Sequence, residues 1–260
     1  MASVVVPAVS RARLVADLGA LGLRPGDRLL VHSSLSSLGF VEGGPDAVIE
    51  ALLELLGPAG TLVMPSFQKG SEHVLTRQGV VFDVRTAPSE MGAISEAFRR
   101  RPGVRRSLSP THCLAACGQD AAALLQGHET CTVSAGRGSP FERLVQSDGK
   151  ILLLGVTHSS DTTLHYLENT GGAPTVCREC FRPVVIAGDG REIIVPTFPH
   201  LPGLRRRYER VETLLLEAGA QTNGPVGQAT ARLVEAGPMD ALVREQLQRD
   251  PLYLIEVFTP

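Results

Sequence analysis

The stretch Arg28–Phe67, RLLVHSSLSSLGFVEGGPDAVIEALLELLGPAGTLVMPSF, decides the fold. It opens with RLLVHSS, a short apolar run set off by the turn LRPGD before it and by polar residues after it, which reads as a buried strand. From Asp46 to Leu56 the apolar side chains return at helical spacing, and Gly57–Pro58 ends the run as such pairs end helices. TLVMPSF is a second strand. Strand, loop, helix and strand within about forty residues make a crossover unit, and the two strands of such a unit lie parallel.

The same reading extends outward. Ser10–Leu21 predicts a helix capped by Ser10, with Leu14, Leu18 and Leu21 on one face. Residues 68–90 are polar and irregular and read as a long loop, a length that in compact domains belongs to functional segments. Met91–Arg100 predicts a helix starting near Ser89 or Glu90. PGVRRSLSPTH reads as loop and CLAACG as a short buried segment. A helix starts at Asp120–Leu125, and SPFERLVQSDG holds a helical turn. KILLLGV is a strand, and PVVIAGDGREIIVPTF is a hairpin turning at Asp189–Gly190. Glu209–Ala218, Ala229–Ala236 and Met239–Gln248 read as helices, and LYLIEVF closes as a strand. With no repeat and no linker, residues 1–260 read as one α/β domain: a mixed central sheet flanked by helices.

Composition narrows the function. An apolar content of 43% over 260 residues supports a sizeable core, and a net charge of −2 carries no electrostatic footprint for nucleic acid. No run approaches the ~20 apolar residues of a membrane span. MASVVVPAVSRARL lacks the basic start of a secretory signal, so the expected location is cytoplasmic. The five cysteines, odd in number, read as free thiols; Cys177 and Cys180 have the spacing of half a zinc knuckle, with no second close pair. Monomer and homodimer both stay open.

Two regions invite chemistry. HSSLSSLGFVEGG, His32–Gly44, lies between a strand and a helix, where α/β folds hold anions, but it is neither a P-loop nor a GxGxxG turn. A second Ser-rich loop, RRSLSPTH, adds Arg105 and Arg106 as possible phosphate partners. THSSDTTLHYLENT, Thr157–Thr170, follows the most apolar strand directly. A helix starting near Asp161 or Thr162 puts His165 and Glu168 three apart on one face, a base with a carboxylate to orient it. Two other readings stand beside this one. His158, Asp161, His165 and Glu168 would form a metal-binding stripe if the helix began earlier, and the segment would otherwise be a capped helix start with a surface ion pair.

Seven segments in order bring in a family. LLVHSSLSSLGFVEGGPDAVIEAL, GTLVMPSF, FDVRTAPSEMGAISEAFRRRPGVRRSLSPTHCLAACG, GSPFERL, GKILLLGV, TTLHYLE and GPVGQATARL together resemble the aminoglycoside 3-N-acetyltransferase, or antibiotic N-acetyltransferase, family over about 200 residues. The resemblance implies that family's α/β fold, acetyl transfer from acetyl-CoA to an amine, and no metal. It implies that Ser33, Ser34, Leu35 and Ser36 hold the pantetheine and pyrophosphate of CoA, with Ser109 and Thr111 lining the same groove and Thr163 donating to the thioester carbonyl or to CoA. His165 would be the general base, oriented by Glu168, in direct attack within a ternary complex, and His112 of the PTH segment would assist or shape the pocket. Acidic walls for a polycationic aminoglycoside would come from Asp83, Glu72, Glu179 and Glu168. The sequence departs from the family pattern at Cys113, where Ser is frequent, and in CRECFRP, which leaves the acceptor open. The alternatives are an N-acyltransferase for another small amine of secondary metabolism, a metal-dependent hydrolase and a CoA-binding module without catalysis.

Overall fold

A computed structural model describes residues 8–256. The apolar patch at the amino terminus falls outside them for residues 1–7.

The elements follow in chain order. They are α1 (Arg11–Leu21), β1 (Arg28–Ser33), a 3-10 turn at Leu35–Leu38, α2 (Gly44–Leu56), β2 (Thr61–Pro65), α3 (Glu72–Arg77), β3 (Val81–Asp83), α4 (Ala93–Arg99), β4 (Arg105–Arg106) and β5 (Leu114–Gly118). Then come α5 (Ala121–Leu125), α6 (Pro140–Gln146), β6 (Lys150–Leu154), α7 (Thr163–Thr170), β7 (Val184–Ile186), β8 (Glu192–Ile194), β9 (Arg205–Arg206), α8 (Arg210–Glu217), β10 (Gln221–Val226), β11 (Ala229–Glu235), α9 (Ala236–Arg249) and β12 (Ile255–Glu256).

The crossover stands as expected: β1 pairs parallel with β2, Leu29 opposite Leu62, and parallel with β6, Leu30 opposite Ile151. Around this parallel centre the sheet runs β10-β11-β6-β1-β2-β5-β4, its outer strands antiparallel. Alternation along the central strands sorts side chains onto two faces. Leu30, Val63, Ile151 and Leu153 join one core, under α5 to α9, while Leu29, Val31, Leu62, Leu152 and Leu154 join the other, under α1, α2 and α4. Each fully buried Leu contributes roughly 1.5–3 kcal/mol, which is why a strand slip by one residue is excluded here.

Local signals explain the helix ends. Ser10 caps α1, its hydroxyl accepting from the Arg13 amide at 3.2 Å. Gly57, at φ 61, ends α2 and returns its N–H to the Leu53 carbonyl. The Asp189–Gly190 turn does join two antiparallel strands, β7 and β8.

Three expectations change. Residues 68–90 are not only loop: they hold α3 and β3, and β3 pairs parallel with β7 about one hundred residues on, Phe82 opposite Val185. The resulting three-stranded sheet, β3-β7-β8, closes a small core of its own around Phe82, Cys113, Val185 and Val195. Ala229–Glu235 is a strand, against the expected helix over Ala229–Ala236, because Ala229, Ala231 and Leu233 alternate inward against Thr230 and Arg232 and pair with β6 and β10, and a helix begins only at Ala236. The closing strand is reduced to Ile255–Glu256, with a turn before it and residues 257–260 outside the description. Among the described residues, no helix is long and apolar enough to cross a membrane.

Candidate active site

Ligands of α/β sheets collect beyond the carboxyl ends of parallel strands. Here the loops after β1 and β6 meet the segments around Phe67 and His112, and three cavities run together. The first, about 600 Å³, is lined by Ser33, Ser34, Leu35, Ser36, Phe40 and Gly92. The second, about 480 Å³, shares Ser33 and Gly92 with it and adds His32, Thr162, His112 and His165. The third, about 250 Å³, shares His112 and His165 with the second and adds Glu72, His200 and Arg206. Two imidazoles therefore stand at the junction, their centroids 5.8 Å apart.

His165 lies in the first turn of α7. Its Nδ1 is 2.8 Å from Glu168 Oε1 and 2.8 Å from the Tyr208 hydroxyl. Among the described residues, its Nε2 has no protein partner. Burial lowers the ring to about 4, helped by His200 and opposed by Glu168, so it is a free base at neutral pH. Burial alone would raise the Glu168 carboxyl; the hydrogen bond from His165 and the charge of Arg206, 3.1 Å away, win and hold it low. Tyr208, raised by burial and by Glu168, stays protonated.

His112 is the second ring. Its Nδ1 lies 2.8 Å from Ser134 Oγ and 3.3 Å from Glu72 Oε1. Glu72 is 7% exposed, and its oxygens accept from Thr111 Oγ1 (2.8 Å), Ser134 Oγ and the His200 amide (2.9 Å). Burial pushes this carboxyl up, but the rings of His112 and His200 outweigh it and keep it ionised well below its usual range. Since Ser134 gives its proton to Glu72, its oxygen accepts from His112, which fixes the Nδ1–H tautomer and leaves Nε2 for the cavity. His200 is set likewise: Nδ1 lies 2.7 Å from Glu72 Oε2, and Nε2 accepts from Asn169 at 3.0 Å.

The remaining expected residues divide. Ser33 to Ser36 line the outer cavity, with Ser34 Oγ bonded to Ser37 at 2.8 Å. Thr111 lines the inner cavity. Ser109 is buried, accepting from the His112 amide at 3.2 Å. Thr163 is fully buried with its hydroxyl unpartnered, because the helix begins there; Thr162 is the threonine in the channel. Asp83 pairs with Arg85 at 2.8 Å and Glu179 sits in an exposed segment, and neither lines these cavities. Arg106, expected as a possible phosphate partner, is engaged elsewhere: its guanidinium donates to the carbonyls of Ser66, Val84 and Ala87 and stacks over Phe82.

The His/Asp/Glu stripe is broken by a 3-10 turn at His158–Ser160, and His158 turns to Gln221 at 2.8 Å. One set of groups among the described residues is close enough for a metal ion, His165, Glu168 and His200, within 4.8 Å of one another. Arg206 already brings a positive charge to that carboxylate. Cys177 is buried 3.5 Å from His73 Nδ1, while Cys180 is exposed, so the two are placed differently. Burial pushes the Cys113 thiol up, away from the thiolate a nucleophile needs.

Sequence reasoning missed His200, Arg206, Tyr208, Ser134 and His32. His32 opens the Ser-rich motif but was not singled out within it; the others lie outside the motifs in sequence, and of these only FPHLPG around His200, a histidine between prolines, is an unusual local pattern.

Paired imidazoles on buried carboxylates at a channel junction are groups chemically suited to proton transfer. The family model for aminoglycoside 3-N-acetyltransferase matches residues 30–248. An aminoglycoside N(3)-acetyltransferase IV of Salmonella sp is 37% identical over 94% of this chain and 90% of its own length. The crystal structure of aminoglycoside acetyltransferase AAC(3)-IVa, 33% identical, superposes with a TM-score of 0.83 over 98% of this chain and 94% of its own; a mutant of it has been solved in complex with a gentamicin. AAC-IIIb, solved as a binary complex with CoASH, is 27% identical with a TM-score of 0.81, covering 98% of this chain and 100% of its own. The chain belongs to the aminoglycoside 3-N-acetyltransferase family and is an acyltransferase. The metal-dependent hydrolase finds no support in these relatives.

Proposed function

We propose that this enzyme transfers acetyl from acetyl-CoA to the 3-amino group of the 2-deoxystreptamine ring of aminoglycosides, by direct attack in a ternary complex. The observation that carries the reading is His165: its Nδ1 is tied to Glu168 and Tyr208, and its ring lines both inner cavities. CoA lies along Ser33–Ser36, with Thr162 beside the thioester. The amine enters beside His200 and Arg206. As nitrogen attacks, His165 Nε2 takes its proton and Glu168 stabilises the imidazolium. Glu72 lines the inner cavity and buried Glu168 stands behind it against the single guanidinium of Arg206, a balance of charge that favours a polycation there. The CoA complex of AAC-IIIb and the gentamicin complex of AAC(3)-IVa support both partners. No step here calls on a metal ion, and a cytoplasmic location matches the supply of acetyl-CoA.

The test is thiol release from acetyl-CoA across a panel of 2-deoxystreptamine antibiotics, with products mapped to the 3-amino position. Acetylation of some panel members is expected, and His165→Ala should lose about 10²–10⁴-fold in kcat while still binding CoA. A flat trace across the panel removes the aminoglycoside reading.

A further inference from the structure

An amine that arrives as an ammonium must lose two protons before the amide is complete, and His165 accounts for one. The second ring at the junction has the same construction. His112 is tied through Nδ1 to Ser134 and Glu72, no protein group among the described residues takes its Nε2, and it lines both cavities that meet at His165. Its carboxylate is more thoroughly enclosed than a surface ion pair would be: Glu72 is held by two hydroxyls, one amide and two imidazoles. A buried charge anchored from so many sides costs several kcal/mol in desolvation unless its partners return it, so the arrangement needs a reason beyond packing.

We propose that His112 is a second catalytic residue, the acceptor of the ammonium's first proton and its donor to the departing CoA sulfur, and that Glu72 and Ser134 are its positioning residues. The inference rests on the acetyl-transfer reading above. The protons balance. The ammonium gives one proton to His112 Nε2, forming an imidazolium opposite Glu72 and a free amine. The amine forms the C–N bond at the thioester carbonyl and gives its second proton to His165 Nε2. The tetrahedral centre collapses, the C–S bond breaks with its electron pair on sulfur, and the thiolate takes the proton held on His112. His165 releases its proton to solvent. The sum is ammonium plus thioester giving amide, thiol and one proton, with both rings restored.

The groups facing His112 are Glu72 from α3, His165 from α7, His200 and Arg206 from the segment before α8, and buried His128; Lys69, Glu90 and His32 line the channel on its other side. Of these, Glu72 is the carboxylate within 3.3 Å.

The experiment follows thiol release with gentamicin from pH 6 to 9.5 for the wild type, His112→Gln, Glu72→Gln and Ser134→Ala, with CoA affinity measured alongside. For His112→Gln we expect a loss of about 10²-fold at pH 6.5 that closes to a few-fold as the pH passes the acceptor amine's own pKa, where the first proton is already gone. Glu72→Gln and Ser134→Ala should show the same pH-dependent gap at smaller size, with CoA affinity unchanged. A gap of constant size across the range, or none at pH 6.5, overturns the proposal. Should the first two variants fail to fold, Ser134→Ala, which leaves no charge unpaired, decides by the same criterion. A wild type silent toward gentamicin but active on another panel member moves the assay to that acceptor. One silent toward all removes the acetyl-transfer reading and this proposal together, whereas an active wild type with a constant gap removes only this one.

Discussion

His128 shows what a buried ring does when it is built not to titrate. Its Nδ1 accepts from Ser107 at 2.8 Å, its Nε2 donates to the Ser134 carbonyl at 2.7 Å, and the residue is 1% exposed. Both nitrogens are filled by the neutral form, and burial lowers the ring to about 4. The unfolded chain binds this proton near pH 6.5 and the folded chain only near 4, so the unfolded state holds more protons between those values and stability falls as pH falls through that window. We expect this one site to remove about 3 kcal/mol between pH 7 and 4, read as the shift of urea unfolding midpoints, and His128→Gln to flatten that slope. Glu72 and Glu168, both held low, lose their contribution only at more acid pH. Of this hydrogen-bonded centre, His165 and Glu168 were legible from their three-residue spacing, and His112 only through the family resemblance of the PTH segment. Glu72 was legible as an acid but not as a partner of His112, because a contact across about 40 residues leaves no period in the sequence.

At the scale of elements, the Ser-rich turn after β1 owes its shape to the β10–β11 hairpin. The Gln228 amide donates to the Leu38 carbonyl at 3.1 Å, and the Gly155 amide to the Thr230 carbonyl at 3.2 Å. Gly155, at φ +71, lies where a Cβ would stand 2.7 Å from Ser37 Cβ and 3.2 Å from Ala229 Cβ. Only glycine meets both demands, positive φ and close approach. Gly155→Ala should cost about 1–3 kcal/mol of stability and raise KM for acetyl-CoA several-fold while leaving KM for the acceptor near wild type; the paired KM values check it. Reading Ala229–Ala236 as a helix hid this support. Ala, Leu and Val in eight residues satisfy a helical and an alternating pattern nearly equally, and pairing with β6, some eighty residues away, chose the strand. The long, apolar elements β1, α2, β2 and β6 had no such ambiguity.

Across the whole molecule, the two-faced main sheet carries the Ser-rich turn, His112 and His165, while the small sheet and its flanking segments bring Glu72 and His200 over them. Arg106 joins the two bodies. It extends from β4 at the edge of the main sheet to the carbonyls of Val84 and Ala87 beside the small one, with its ring contact on Phe82 at 4.7 Å. Arg106→Met removes several charge-assisted bonds, each worth roughly 1.5–3 kcal/mol. It should lower the melting temperature and raise the acceptor KM more than the acetyl-CoA KM, since the Ser-rich turn stands apart from it; thermal melts and the two KM values test this. A strand of three residues pairing across about a hundred is beyond sequence periodicity, which is why residues 68–90, with β3, read as loop while the β7–β8 hairpin was legible from its turn.

The small sheet's placement also bears on how such enzymes diversify. Segments over a binding cleft are where new drug preferences are most easily acquired, by insertion and replacement. In this chain the same segments supply the acid behind one of the two junction rings. On the role proposed for His112, a graft that widens the range of antibiotics also resets the chemistry, so variants of broader range would have to carry the carboxylate of Glu72 along or find another anion for that ring.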